Sequence, residues 1–221
     1  VLNEGGGLPM KAGDKLIYTV QTAEKGICWV KAKFRGRPAH GSVPGLGDNA
    51  LVKMAKGVSR LSTSMPPFRA IPVVRDFITR MLEGMGRPSL ADMILTPGLS
   101  DSALDLLARE NKVLAETFRA MLHDTVTVTM AEGGYKENVV PDYCEAVFDC
   151  RILPGSSSEK VISWIRERLG EDVELEILKD QAPSDSPADT PLFKTISEAL
   201  SKLAPGAEVT PLLSTGGTDS R

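Results

Sequence analysis

The sequence predicts an α/β protein built around a ferredoxin-like β-α-β-β-α-β sandwich. Four segments alternate apolar and polar residues with the period of two that is typical of half-buried strands. Two further segments carry their apolar residues on one helical stripe, and the order along the chain is strand, helix, strand, strand, helix, strand. Because two helices cover only one face of a four-stranded antiparallel sheet, strands with a single apolar face fit this architecture.

The strands of the sandwich are predicted at 25–36, 124–132, 143–153 and 173–178. The first shows the alternation most clearly, because its even positions from 28 to 34 are apolar while Lys31 and Lys33 lie between them. In the last strand we expect Val173, Leu175 and Ile177 to point inward.

The helices of the sandwich are predicted at 49–61 and from Ser156 to Gly170. The first has an apolar stripe that begins at Ala50. In the second, the Ser156 hydroxyl and the Glu159 carboxylate form a predicted capping box ahead of the apolar stripe, and Gly170 ends the helix.

The rest of the chain interrupts and flanks this unit. Residues 66–123 contain proline and glycine breaks between helical patterns at 73–82, 99–107 and 112–122, which predicts a helical insertion. The run QAPSDSPADT at 181–190 is typical of a linker, and a helix and a short strand are predicted beyond it at 191–203 and 209–213. We therefore expect a sandwich domain at 23–181, with 1–22 and 182–221 as incomplete segments of a second domain.

Composition limits the classes of partner. The 221 residues carry a net charge of −3 and have a pI near 5.5, which argues against nucleic acid and anionic lipid. No segment has the roughly 20 apolar residues that span a bilayer, and residues 1–10 lack a leader pattern. Cys28, Cys144 and Cys150 lie in apolar runs, which predicts buried free thiols in a reducing, cytoplasmic compartment. We expect no nucleic acid and no membrane partner.

Four short motifs stand apart from the core pattern, and the chain starts without Met and stops just after the last of them, as expected for an internal piece of a longer protein. They are Asn3-Glu4-Gly5-Gly6-Gly7, PAHGSVP at 38–44, NVVP at 138–141 followed by Asp149-Cys150-Arg151, and GGTDSR at 216–221. In this order and spacing they resemble the superfamily of zinc aminoacylases, carboxypeptidase G and succinyl-diaminopimelate desuccinylase. The three glycines after Glu4 resemble its carboxypeptidase-S-like branch. The resemblance implies a ferredoxin-like lid inserted into a zinc-binding catalytic domain, and a homodimer formed through the lid.

Glu4 matches the acidic residue that ligates one of the two zinc ions in this superfamily, for which cobalt and manganese are alternatives. A carboxylate freed by following glycines can approach a metal closely. A solvated turn glutamate is the alternative, and a phosphate cradle fits the sequence less well because no Lys-Ser/Thr follows.

His40 and Asn138 are the candidate catalytic residues. His40 lies in a Gly/Pro loop rather than on an apolar stripe, so it is available to a ligand. The resemblance implies that it enters the active site of the partner subunit and hydrogen-bonds the scissile carbonyl oxygen, and that Asn138 contacts the substrate or the oxyanion. A surface-loop histidine and a plain turn asparagine are the alternatives, and His123 is predicted to be structural.

Arg151, Gly217, Thr218 and Arg221 are the candidate substrate-binding residues. A planar guanidinium holds a carboxylate with two parallel hydrogen bonds, and the resemblance implies this role for Arg151. The alternative is a pair with Asp149, which shares its strand face. Gly217 and Thr218 offer backbone and hydroxyl donors at a strand-to-helix turn, where an anionic group fits, and Arg221 adds positive charge.

The resemblance implies that these residues belong to a metal-dependent hydrolase of amide bonds in N-acyl amino acids or short peptides with a free carboxylate. The resemblance places a His-x-Asp motif and a Glu-Glu pair before Glu4 and a last His ligand after the Gly-Gly-Thr turn. Because a catalytic zinc needs three protein ligands, we expect these 221 residues alone to be inactive. The alternative is a non-catalytic dimerisation or ligand-binding module.

Overall fold

The computed structural model describes residues 9–218, and their contacts divide the chain into two compact units. We call Gly26–Pro67 with Asp124–Ala182 the sandwich unit. Val1–Lys25, Phe68–His123 and Pro183–Arg221 form the flanking unit.

The secondary structure alternates between these units. The strands are β1 (Pro9–Ala12), β2 (Lys15–Glu24), β3 (Gly26–Arg35), β4 (Ala39–His40), β5 (Thr125–Gly133), β6 (Val139–Val140), β7 (Tyr143–Ile152), β8 (Glu174–Gln181), β9 (Ser184–Asp185) and β10 (Glu208–Ser214). The helices are α1 (Ala50–Ser62), α2 (Pro72–Gly84), α3 (Pro88–Ile94), α4 (Ser100–Ala108), α5 (Lys112–Leu122), α6 (Ser158–Leu169) and α7 (Pro191–Leu203), with a 3₁₀ turn at Pro44–Leu46.

The sandwich unit has the predicted ferredoxin-like fold. Its sheet has the order β5-β7-β3-β8 with all neighbours antiparallel, and α1 and α6 pack against the sheet. Alternate residues of the two central strands are buried, as the period of two predicts. Their side chains form the core together with those of the helices: Cys28, Val30, Ala32, Phe34, Cys144, Ala146, Phe148, Cys150, Ile152, Val161, Trp164, Ile165 and Leu169. Burial of each large apolar side chain contributes about 1.5–3 kcal/mol to stability.

The predicted ends of the helices are partly confirmed. Asn49 caps α1, since its side chain accepts a hydrogen bond from Val52 N at 3.2 Å, and Gly170 ends α6 at a φ of 102°. The predicted cap of α6 at Ser156 is wrong, because α6 begins two residues later. The Ser156 hydroxyl instead donates to the buried Asp124 carboxylate at 2.7 Å, a group that needs donors in the core.

The edge strand β8 departs from the predicted pattern at one position. Val173 is buried and Leu175 is half-buried, but Ile177 is 52% exposed. The register between β8 and β3 shifts at Trp29/Val30, and an edge strand has a neighbour on one side only. The prediction that Ile177 is buried is therefore wrong.

The flanking unit has its own sheet, β1-β2-β10, with β9 also pairing with β2. The strands β2 and β10 are parallel, and α2 packs against β1, β2 and β10. From the sequence we predict 66–123 as an insertion in the lid, whereas the contacts group Phe68–His123 with the terminal segments. Its predicted helices are present, and α3 is an additional one.

Two further expectations concern the thiols and membranes. Cys28, Cys144 and Cys150 are buried and free, as predicted. Among residues 9–218, no helix combines the length and the apolar character needed to cross a bilayer.

Candidate functional site

His40 and Asn138 are brought together by a short ladder beyond the end of β3. The two-residue strands β4 and β6 pair with Ala39 opposite Val140 and His40 opposite Val139. The Gly41 N–H donates to the Asn138 carbonyl oxygen at 2.7 Å. The structure therefore places the two predicted catalytic side chains side by side, both exposed.

Ser42 contacts one nitrogen of the His40 ring. Its backbone N–H donates to His40 Nδ1 at 3.2 Å, and its Oγ lies 2.7 Å from the same nitrogen. In the tautomer in which Nδ1 accepts from this N–H, the ring proton is on Nε2, which is then a donor. No sequence motif singles out Ser42, although the spacing of two residues is the usual one for such local bonds.

Asn138 supplies a second donor next to the first. Its Nδ2 lies 3.4 Å from His40 Nε2, and in the tautomer with the ring proton on Nε2 two N–H groups from separate segments adjoin one exposed region. An acceptor between them can be bonded by both. A half-turn of the amide places Oδ1 beside the Nε2–H instead, which lets the two side chains bond to each other before a ligand arrives.

A concavity adjoins this pair within the sandwich unit. It has a volume of about 540 Å³ and includes Leu51, Tyr135, Val139 and Pro141 in its lining. Tyr135, Val139 and Pro141 lie within three residues of Asn138 in sequence. They offer contact area to a part of a ligand that does not react.

Arg151 forms an ion pair with Asp149, which is the alternative role considered for it in the sequence analysis. Its Nε and Nη2 donate to the two carboxylate oxygens of Asp149 at 2.7 and 2.8 Å, and both side chains are 26% exposed. The pair lies on the sheet face opposite the buried Cys150. Because the guanidinium is held in a defined orientation, its remaining N–H groups are preorganised for a second acceptor.

Arg151 does not lie near the His40–Asn138 pair. Along β7, Tyr143 pairs with Arg35 at the end of β3 from which the chain continues to His40, whereas Arg151 lies at the other end. The eight steps from position 143 to 151 correspond to roughly 26 Å of strand. The sheet thus places the predicted oxyanion donors and the predicted carboxylate ligand at opposite ends.

The exposed charges between these ends are paired with one another. Lys31 bonds Glu145 at 2.9 Å and Lys33 bonds Glu174 at 2.8 Å. Hydrogen bonds from Lys31 and then from Tyr143 hold the pKa of Glu145 below its usual value, and the Lys33 hydrogen bond does the same for Glu174. These carboxylates are therefore ionised partners of lysines and are unsuited to act as general bases at neutral pH.

Thr218 uses both of its donors on one buried carboxylate. Its N–H lies 3.0 Å from Glu24 Oε1 and its hydroxyl 2.6 Å from Glu24 Oε2, and Glu24 is 2% exposed. Gly217, one residue earlier, is exposed. Of the two predicted anion-binding residues, Gly217 faces solvent, while the donors of Thr218 are engaged. The sequence analysis missed Glu24, whose only signal is a charged residue ending a largely apolar strand.

His123 has the predicted structural environment. It is 5% exposed, its ring packs edge-on against Phe68 at 5.8 Å, and its carbonyl oxygen accepts a hydrogen bond from the fully buried Lys25 Nζ at 2.6 Å. The burial of Lys25 was also not predicted, because a lysine next to a glycine is typical of a solvated strand end.

The candidate metal ligand Glu4 and the candidate substrate ligand Arg221 lie outside the described residues. Within positions 9–218, no group of three or more His, Cys, Asp or Glu is arranged to hold a metal ion. These residues therefore do not form a metal centre by themselves.

A ferredoxin-like sandwich whose segments alternate along the chain with those of a second unit defines the class of domains inserted into another domain. The chain belongs to the M20 peptidase family: the family's peptidase dimerisation domain matches residues 22–174. Over 219 residues it is 24% identical to the N-fatty-acyl-amino acid synthase/hydrolase PM20D1 of Xenopus tropicalis, with 93% of this chain and 40% of that protein covered. It is 23% identical to the probable carboxypeptidase S-like 2 of Dictyostelium discoideum, over 94% of this chain and 39% of that protein.

Solved structures show the same fold. The M20 family metallo-carboxypeptidase Sso-CP2 from Sulfolobus solfataricus has a TM-score of 0.58 and 18% identity, covering 93% of this chain and 50% of that one. This confirms the predicted fold class, and the match of the dimerisation domain confirms the predicted family. The chain spans about two fifths of the length of the curated relatives it matches.

Proposed function

We propose that the protein carrying this chain hydrolyses amide bonds in N-acyl amino acids or short peptides with a free carboxylate, using zinc. The observation that carries the proposal is the His40–Asn138 pair, in which His40 Nε2 and Asn138 Nδ2 lie 3.4 Å apart beside an exposed ladder. The relatives support it, because their names describe a fatty-acyl amino acid hydrolase and a carboxypeptidase.

The pair acts on the oxygen of the scissile carbonyl. When water attacks the carbonyl carbon, negative charge develops on that oxygen, and donors fixed in advance stabilise it more than they stabilise the neutral substrate. The His40 ring is held by its contacts with Ser42, and the Asn138 backbone is held beside the β4–β6 ladder by the Gly41 N–H. The tautomer with the proton on Nε2 is the one that this role requires.

The pair serves the active site of the partner subunit in a homodimer formed through the sandwich unit, whereas Arg151 binds the substrate carboxylate. Their separation by roughly 26 Å of strand supports this division, because one substrate of amino-acid size cannot contact both ends of one sheet. Gly217 and Arg221 add donors for the anionic group, and the protein is proposed to act in the cytoplasm.

The proposed metal site needs ligands from this chain and from other parts of the protein. We assign Glu4 as one ligand, and the other ligands come from segments before and after residues 1–221. A bound zinc ion supplies Lewis-acid polarisation of the carbonyl and a more acidic water. The chain's own contribution is to orient substrate and to stabilise the oxyanion, and without the other ligands it is inactive.

The test uses the whole protein, loaded with zinc, cobalt or manganese in parallel. We expect hydrolysis of N-acyl amino acids, at least one metal ion per chain, and a large loss of turnover in His40→Ala. If the whole protein binds less than one metal ion per chain and hydrolyses none of these substrates, it is instead a dimerisation or ligand-binding module.

A further inference from the structure

We propose that Glu24 is a positioning residue that fixes the turn at 216–218, so that the Gly217 N–H faces the anionic group of the substrate. This inference rests on the proposed function, and it adds a residue that no motif contains. Glu24 acts through Thr218 and does not itself touch substrate.

The topology of the flanking unit brings Glu24 to the turn. Glu24 is the last residue of β2, and in the parallel pair with β10 its partner is Ser214, the last residue of that strand. The turn therefore begins directly beside the Glu24 backbone, although 194 residues separate Glu24 from Thr218. The Ser214 hydroxyl donates to the Gly216 carbonyl oxygen at 3.1 Å, so the turn is held at both of its ends.

The buried Glu24 carboxylate accepts hydrogen bonds from the turn and from its own strand. A buried carboxylate is strongly destabilising unless hydrogen bonds replace its water. Here the Thr218 N–H and hydroxyl donate to separate oxygens, and Gln21 Nε2 donates to Oε2 at 3.1 Å. Because the two bonds from Thr218 come from its backbone and its side chain, the carboxylate restricts both parts of this residue.

The donors of Thr218 are consumed by Glu24, which leaves Gly217 to contact a substrate. Gly217 is exposed, and no acceptor in the described part of the chain takes its N–H. A glycine at this position also lets a ligand approach the backbone closely. Rotating the turn would remove this N–H from the substrate without unfolding the unit.

The test compares variants of the whole protein on an N-acyl amino acid and on its carboxamide analogue. In Glu24→Gln and in Thr218→Val we expect KM for the carboxylate substrate to rise roughly tenfold, with kcat within about threefold and KM for the carboxamide unchanged. Thr218→Ser keeps both donors and should restore the wild-type KM. Glu83→Gln, an exposed glutamate of α2, is the matched control and should change neither constant.

The double variant Glu24→Gln/Thr218→Val tests whether the two residues act as one unit. If they do, its KM equals that of the worse single variant, whereas multiplied effects would contradict a route through Thr218. A fall in melting temperature with an unchanged KM would show that Glu24 is only structural and would overturn the inference.

Amide hydrogen exchange at Gly217 and Thr218 gives a readout that does not depend on activity. We expect faster exchange of the Thr218 amide in Glu24→Gln. If no substrate is hydrolysed but exchange accelerates, the proposed function fails while Glu24 still holds the turn. Unchanged exchange overturns the role of Glu24 whatever the activity. If every Glu24 variant fails to fold, Thr218→Val and Thr218→Ser carry the same comparison.

Discussion

His40 Nε2 and Asn138 Nδ2 lie 3.4 Å apart although 98 residues separate them in the chain. The contact depends on the pairing of two short strands, β4, which follows β3, and β6, which precedes β7. Both side chains are exposed. The first two predictions follow from the proposal that they share an acceptor on the substrate.

Replacing His40 by Ala should lower kcat by about 10²–10³ while KM stays within a few-fold, because the donor acts mainly on the charge that develops during the reaction. Steady-state kinetics of the whole protein on an N-acyl amino acid measure both constants. Wild-type turnover in this variant would exclude His40 from catalysis.

Replacing Asn138 by Asp should lower kcat more than replacing it by Ala. Alanine removes one donor, whereas an aspartate adds a negative charge close to the developing oxyanion. The comparison isolates the charge, because Asp and Asn have nearly the same shape. Equal losses in the two variants would contradict an oxyanion contact, and circular dichroism checks that both fold.

Replacing Arg151 by Ala should raise KM roughly 10–100-fold for substrates with a free carboxylate, as expected for the loss of charged hydrogen bonds, and leave KM of the carboxamide unchanged. Asp149→Asn keeps the guanidinium but weakens its orientation, so a smaller rise is expected. If both variants only lower the melting temperature, the ion pair is structural.

The three thiols should be unreactive in the folded protein and should reduce its stability at alkaline pH. Burial raises the pKa of Cys28, Cys144 and Cys150. In the unfolded chain the thiols ionise from about pH 8.5, while in the folded protein they stay protonated. The unfolded state then binds fewer protons, so the free energy of unfolding falls as pH rises above that value, and no such loss occurs below it.

The measurement is the slope of unfolding free energy against pH between about 8.5 and 10.5. Cys150→Ala should flatten that slope by about 1 kcal/mol per pH unit, whatever its effect on absolute stability. An unchanged slope, or rapid reaction of native thiols with a disulfide reagent, would contradict the prediction.

Replacing Gly36 by Ala should destabilise the sandwich unit by about 2–4 kcal/mol. A Cβ at this position would lie 1.9 Å from the Asp48 carbonyl oxygen, so the backbone itself would have to move. Gly45→Ala is the matched control, because a Cβ there meets nothing within 4 Å, and its effect should stay within about 0.5 kcal/mol. Denaturant unfolding of both variants measures the difference.

The sandwich could be predicted because its periodicity is local. Every second residue of β3 and β7 is buried, and that alternation is visible in the sequence without any partner. The cap of α6 could not be predicted, because Ser156 had two acceptable roles and the choice depended on the distant Asp124. The helical segment 68–123 has apolar stripes that fit either sheet, so its sequence does not say which one it covers.

For the site, the sequence indicated residue types but not their neighbours. His40 and Asn138 were identified from their motifs, and their contact follows from a two-residue ladder that is too short to show a pattern. Glu24 gave no such signal, because burial of a charged strand end is decided by a turn that begins at position 215. Hydrogen bonds between residues far apart in the chain could thus not be predicted from the sequence alone.

The length of the β3–β7 strand pair sets the distance between its His40 end and its Arg151 end. Two residues added to both strands would keep every side chain on its face and would move the His40 end by about 6–7 Å relative to the Arg151 end. In the proposed homodimer, the spacing between these two groups would therefore be set in discrete steps by strand length. A change of strand length would have to be matched by a change in how the subunits dock if both groups are to serve the proposed reaction.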